Sequence, residues 1–171
     1  PLVLNSAEED VEILNLQGVS LLSMRTAPGQ AAGNYQFTSG DTSFQQFEFV
    51  QLIMQGITDA QGDKYAGLVQ ADWGNYFFIS GPILNPENNQ LVGIVLVGKS
   101  LDTLAREMKQ EKLADVTFYN FDGQAIGSTI FTSTETYPVT SAQIYDVITN
   151  QDQSSQTREL TISNVGYTEL I

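Results

Sequence analysis

Gly93–Ser100, GIVLVGKS, fits the G-x-x-x-x-G-K-[ST] spacing of a phosphate-binding loop, and a helical pattern follows it. That chemistry needs a flexible loop, preceded by a strand, whose backbone N–H groups wrap the phosphates. Here Ile94-Val95-Leu96-Val97 is itself a strand-forming run, so its N–H groups are owed to sheet neighbours. Nucleotide chemistry is left as the third reading. Little else in the chain could catalyse a reaction. There is no G-x-S-x-G, and neither cysteine nor histidine occurs, which removes the usual nucleophile–base pairs, thiolate metal sites and the commonest metal ligand. A carboxylate dyad among the 20 acidic residues would be invisible in sequence. Asn120–Gly123 lacks the further acidic positions of a calcium loop and reads as a hairpin turn. The chain is expected to be non-enzymatic, with no cofactor and no metal.

The 171 residues are 42% hydrophobic and 16% charged, enough apolar material for a packed core. A net charge of −13 opposes nucleic acid and anionic lipid surfaces, both of which need clustered cations. No apolar run approaches the ~18 residues of a membrane helix. The chain begins at Pro1 without a methionine or a signal-peptide pattern, and both ends read as cuts in a longer chain.

The central elements lie between Lys64 and Leu113. Lys64–Ala71, Asn75–Ile83 and Leu91–Val97 read as strands joined by turn-rich connections, hence an antiparallel meander. The last two are apolar on both sides, which predicts other elements above and below the sheet. Ser100–Leu113 is an amphipathic helix, with Leu101, Leu104, Ala105 and Met108 on one face and Ser100 as N-cap. Four of the seven basic residues, Lys99, Arg106, Lys109 and Lys112, fall in or beside it and read as a solvated face. Before the meander, Pro1–Leu4 reads as the end of a helix and Ser6–Glu9 as one helical turn. Asp10–Leu16 and Val19–Met24 form a hairpin turning at Gly18, Thr26–Asp41 is a long loop, and Phe44–Ile57 is a short helix.

Asp115–Ile130 repeats Asp10–Arg25 at a constant offset of 105, with five of sixteen positions identical. A loop (Thr132–Pro138), a helix (Ser141–Ile148) and strands (Thr157–Ile162, Tyr167–Ile171) follow, in the order of the first half. The expected fold is α+β: a first sheet unit over residues 1–99, a connecting helix over 100–113, and a second unit over 114–171 that is incomplete at its C-terminus. An incomplete sheet leaves an open edge.

Hairpin, helix and three-stranded meander are the element order of a PAS-like sheet. Gly81-Pro82-Ile83, Leu91–Gly98, the Ser100–Leu104 helix start and the Asp115–Gly123 hairpin, in that order, resemble the double Cache domains of bacterial receptors. The resemblance covers about Asp10–Ile171. It implies two PAS-like units in tandem and an extracytoplasmic sensor of a histidine kinase, nucleotide cyclase or chemoreceptor. Such a sensor is tethered to the membrane by segments outside these residues. It is periplasmic or extracellular, and a homodimer is compatible with it.

The resemblance further implies an unidentified small-molecule ligand over the first sheet. Its wall would be Tyr65, Asp72, Trp73, Tyr76 and Phe78, with Tyr35 or Phe37 from the preceding loop. Rings supply apolar walls, phenol and indole groups fix orientation, and a carboxylate can meet an amine. The competing reading makes the alternate aromatics plain core. In the amino-acid-binding members an Arg precedes a Trp-Tyr pair and an Asp ends the last meander strand. Here Ala71-Asp72 precedes Trp73, Gly74 follows it, and Gly98 stands in place of that Asp. A second functional reading is a structural or dimerisation module that senses a protein partner.

Overall fold

The computed structural model describes residues 10–26, 34–130, 138–149 and 156–171. The chain divides into two compact units, Pro1–Leu104 and Ala105–Ile171. The expected segments Pro1–Leu4 and Ser6–Glu9, and the Thr132–Pro138 loop apart from Pro138, lie outside the described residues.

In the first unit, β1 (Asp10–Leu14), β2 (Ser20–Thr26), β3 (Tyr35–Thr38), β4 (Tyr65–Ala71), β5 (Gly74–Leu84) and β6 (Leu91–Ser100) form one sheet. Its order is β3-β2-β1-β6-β5-β4, and every pairing is antiparallel. The β4-β5-β6 meander is as the turn signals require. β6 lies between β1 and β5, so Gly93–Ser100 is a strand in the middle of the sheet rather than a phosphate loop.

Two expectations are corrected. The long loop Thr26–Asp41 contains β3, an edge strand that pairs with β2. Its YQFT sequence is strand-forming, but four residues flanked by Gly, Asn and Ser are too short to show a period. The helix expected over Phe44–Ile57 is broken at Phe47, whose backbone is extended (φ −83°, ψ 131°). A 3-10 turn, Ser43–Gln46, precedes the break and α1, Glu48–Met54, follows it. The break lets both pieces point phenylalanines at the sheet: Phe44 is fully buried and Phe49 nearly so.

These pieces cover one face only. Leu14, Phe78, Ile94 and Leu96 project from the strands to meet Phe44, Phe49, Val50 and Ile53 in the core. On the opposite face, Leu22, Leu68, Phe77 and Ile79 are 38–47% accessible. The expected second layer is therefore not among the described residues. Side-chain alternation places Phe77 and Ile79 opposite Phe78, and that is why β5 reads as apolar on both sides.

The second unit holds most of α2 (Leu101–Lys112), then β7 (Thr117–Tyr119), β8 (Ala125–Ser128), α3 (Ser141–Thr149), β9 (Thr157–Ile162) and β10 (Val165–Leu170). Ser100 Oγ accepts the Thr103 N–H at 3.1 Å, the N-cap expected for α2. The strands form two separate ribbons, β7-β8 and β9-β10, among the described residues. Tyr119 Oη donates to Glu169 Oε1 (2.6 Å), and Arg158 pairs with Glu169 and donates to Tyr119 Oη (3.1 Å), which ties β7 to the second ribbon.

The internal repeat is reproduced in detail. Asn15 Oδ1 accepts the N–H groups of Gln17 and Val19, and Asn120 Oδ1 accepts those of Asp122 and Gln124. Gly18 and Gly123 turn at φ +73° and +78°, where a side chain would be strained. The register slips at Ile13/Leu14 in one hairpin and at Phe118/Tyr119 in the other, the same offset of 105.

Candidate functional site

β1 alternates Asp10, Glu12 and Leu14 on the helix-covered face with Val11 and Ile13 on the other. Two acidic side chains thus point inward from a strand near the sheet centre, and both are fully buried. Isolated carboxylates at such depth are strongly disfavoured, so a partner is required. The register supplies it: Arg25 on β2 lies opposite Asp10, and Ser23 opposite Glu12.

Arg25 Nε donates to Glu12 Oε1 (2.8 Å) and its Nη2 to Asp41 Oδ2 (2.9 Å). Ser20 and Ser23 hydroxyls complete the Glu12 carboxylate at 2.9 and 2.6 Å. The guanidinium carbon sits 3.8 Å from the Trp73 ring centroid and 5.7 Å from that of Phe44, a cation–π arrangement. Trp73 occupies the two-residue turn between β4 and β5 and packs against the core. Its buried Nε1–H has no hydrogen-bond acceptor among the described residues.

One guanidinium cannot balance three carboxylates in this recess. Asp10 gives way: Arg25 Nε is 3.3 Å from its Oδ2, yet neither carboxyl oxygen accepts a hydrogen bond from the described residues. Burial and then the Glu12 charge push the Asp10 pKa up to about 8, with Arg25 opposing, so it holds its proton at neutral pH. Asp41 moves the other way. Burial would raise its carboxyl, but the Ser43 N–H and Arg25 together hold it below the usual range. Asp41 and Arg25 are the partly accessible members, at 26% and 18%, and mark the mouth of the recess.

The structure brings Trp73, Tyr76 and Phe78 together beside this cluster. Tyr76 and Phe78 stack at 5.9 Å, and Phe78 meets Phe44 edge-on at 5.4 Å. Phe78 also lies over Gly98: a Cβ there would fall 2.3 Å from its ring. Gly98 is directly opposite Asp10 on β1. The remaining residues named from sequence lie elsewhere. Asp72 is exposed on the turn. Tyr65 shares the covered face but begins β4, about 20 Å along the strand from its far end; its hydroxyl donates to the Ile57 carbonyl at 2.9 Å. Tyr35 and Phe37 pair with Thr26 and Met24, whereas Gln36 pairs with Arg25, so alternation directs both aromatics to the other face. Phe37 is 64% exposed.

Sequence reasoning did not reach Asp10, Glu12, Arg25 and Asp41. A signal was present: D-V-E-I-L sets acids against apolar residues at a period of two, and Arg25 is the only cation before Lys64.

A family model described as the double sensory domain of two-component sensor kinases (dCache_3) matches residues 9–170. Three solved structures share the fold. One is a domain of a protein assigned to the sensory box/GGDEF family of Vibrio parahaemolyticus, 11% identical, TM-score 0.57, covering 93% of this chain and 64% of that one. Another is the extracellular domain of a protein described as the histidine kinase vpHK1S-Z8, 12% identical, TM-score 0.57, covering 92% and 60%. The third is the ligand-binding domain of the Campylobacter jejuni chemoreceptor Tlp3 in complex with 4-methylisoleucine, 10% identical, TM-score 0.51, covering 94% and 59%. The chain thus spans about 60% of the length of these structures. No curated protein sequence matches it significantly. Among the described residues no helix is long and apolar enough to cross a membrane. An α+β chain with a six-stranded antiparallel sheet, matched nearly end to end by this family model, belongs to the double Cache family of sensory domains.

Proposed function

We propose that the chain is the extracytoplasmic sensor region of a bacterial membrane receptor, and that its first unit binds a small molecule in the Arg25–Trp73 recess. The observation that carries this reading is the guanidinium carbon 3.8 Å from the Trp73 ring centroid while Glu12 and Asp41 pair with its nitrogens. Beside it lie a buried indole N–H without an acceptor among the described residues and the buried Asp10 carboxyl. Polar groups left unsatisfied in this way each cost about 1–3 kcal/mol, which a ligand that pairs with them recovers.

The ligand carries a donor-rich, cationic group for the Asp10–Glu12–Asp41 carboxyls and an apolar part for Trp73 and Tyr76. Gly98 replaces the Asp of amino-acid-binding members, and Phe78 fills the space such a side chain would use. Asp10, the cross-strand neighbour of Gly98, supplies a carboxyl one strand over. The second unit relays ligand-induced shifts through the connecting helix. The Tlp3 domain, solved with 4-methylisoleucine, is a family precedent for small-molecule binding.

The test is a thermal-shift screen of amines, carboxylates, sugars, aromatics and nucleotides on the native chain, Trp73→Ala and Phe77→Ala. A ligand at ~100 times its dissociation constant adds about 2.7 kcal/mol of stability. A hit kept by Phe77→Ala, on the far face, and lost in Trp73→Ala supports the recess. Absence of any hit, with a dimer that dissociates in Phe77→Ala, replaces the sensor reading with the partner-sensing module.

A further inference from the structure

β4 is an edge of the six-stranded sheet: among the described residues it pairs with β5 and with no other strand. Ala71 and Gly74 flank the two-residue turn and so form a hydrogen-bonded pair, and the bonding alternates back along the strand from there. Tyr65, Gly67, Val69 and Ala71 direct their backbone groups to β5, whereas those of Ala66, Leu68 and Gln70 point outward. The side chains follow the same parity. A Cβ on Gly67 would fall 2.0 Å from the Phe49 ring, which fixes the odd positions on the helix-covered face. Ala66, Leu68 and Gln70 lie on the other face, and all three are exposed.

An outward row of amide and carbonyl groups is a template for another strand, and sheets normally blunt it with charge, proline, a bulge or shortness. β3, the opposite edge, has four residues. β4 has none of these devices. Tyr65–Ala71 is seven residues long without a charge or a proline, and its pairing with β5 runs without a register shift.

This edge is complementary to itself. Two copies of β4 set antiparallel overlap along their whole length only about a two-fold axis at Leu68. In that register Leu68 meets Leu68, and Ala66 meets Gln70, each pair exchanging the outward backbone bonds. The same register sets Lys64, just before the strand, opposite Asp72, just after it, so unlike charges face each other at both ends of the seam. Lys64 Nζ lies 3.2 Å from Asp63 in an exposed pair, and an ammonium has further donors for a second carboxylate. Within each sheet Leu68 is the cross-strand neighbour of Phe77, so pairing extends one apolar row from Phe77 through both leucines to the second Phe77.

We propose that β4 is a self-association edge, through which two copies of the chain join antiparallel about Leu68 with Lys64 of each opposite Asp72 of the other. The net charge of −13 opposes association, so the pairing is weak and is sought at physiological ionic strength, where charges more than about 8 Å apart are screened. The seam uses neither Arg25 nor Trp73 and stands or falls without the ligand reading.

The test is sedimentation of the 171-residue chain from about 10 µM to about 1 mM, the range of weak complexes, with ¹⁵N-detected amide exchange at both limits. A monomer–dimer equilibrium is expected. Protection at Ala66, Leu68 and Gln70 should rise with concentration, while Gly67 and Val69 are protected throughout. Leu68→Lys sets like charges face to face on the axis and should weaken the dimer about tenfold or more. Lys64→Glu and Asp72→Lys, both at exposed positions, should each weaken it several-fold, and the double variant should restore it, which damage to folding would not do. A monomer at every concentration, full protection of Ala66, Leu68 and Gln70 at the lowest one, a dimer indifferent to Leu68→Lys, or a double variant no better than the single ones overturns the proposal.

Discussion

Asp10→Asn should abolish a pH dependence that the native first unit shows between pH 6 and 8. Asp10 is fully buried, and its pKa stands at about 8 against 3.8 for the unconstrained side chain. A carboxyl whose pKa is raised on folding binds its proton more tightly in the folded chain. Its contribution is therefore complete below about pH 4 and is lost as the pH climbs through 8. From pH 6 to 8 the folded form holds nearly one proton more than the unfolded form, at 1.36 kcal/mol per unit. Allowing for half-ionisation at the upper end, stability should fall by about 2 kcal/mol over that interval.

The window is unusually clean, because the chain has no histidine or cysteine to titrate within it, apart from a chain-terminal amine. Urea unfolding at half-unit steps of pH, followed by Trp73 fluorescence, measures the effect in the first unit. Trp73 is the single tryptophan and touches Arg25, so the probe reports on the right place. A native midpoint that is flat from pH 6 to 8, or an equal slope in Asp10→Asn, would refute the account of a neutral, buried Asp10.

The two faces of β5 should respond very differently to truncation. Phe78→Ala, at a fully buried ring between Phe44 and Tyr76, should cost about 3–5 kcal/mol, while Phe77→Ala, 40% exposed, should cost less than half as much by the same denaturation assay. The matching hairpins predict matching losses. Asn15→Ala and Asn120→Ala each remove one side-chain oxygen that accepts two backbone N–H groups and should each destabilise their own unit by about 1–2 kcal/mol, measured by amide hydrogen exchange in each hairpin. A loss confined to one hairpin would mean that the repeat is superficial.

Much of the fold was legible because its signals are local. The meander is written in strand formers punctuated by Asp72-Trp73-Gly74 and Asn85–Asn89, and α2 in its 3.6-residue apolar period. The hairpin repeat was visible because Asn and Gly at the turn carry out their roles within a few residues of chain. The break at Phe47 was not visible: Phe44, Phe47 and Val50 keep helical spacing, and only the sheet beneath decides that the chain must re-aim there. β3 was missed for a related reason, since its status as a strand rests on pairing with β2.

The recess marks the same limit. Trp73, Tyr76 and Phe78 stand out in sequence as aromatic groups and are neighbours in the structure. Tyr35 and Phe37 stand out equally, but a one-residue step in register sends a side chain through to the opposite face. Asp10, Glu12, Arg25 and Asp41 span 32 residues of chain with nothing local to connect them. Composition and period determined the elements, the repeat and the absence of familiar catalytic groups. Cross-strand register set Arg25 opposite Asp10, and the tertiary fold brought it beside Trp73, because electrostatic and ring contacts depend on distance in space, which a linear order does not contain.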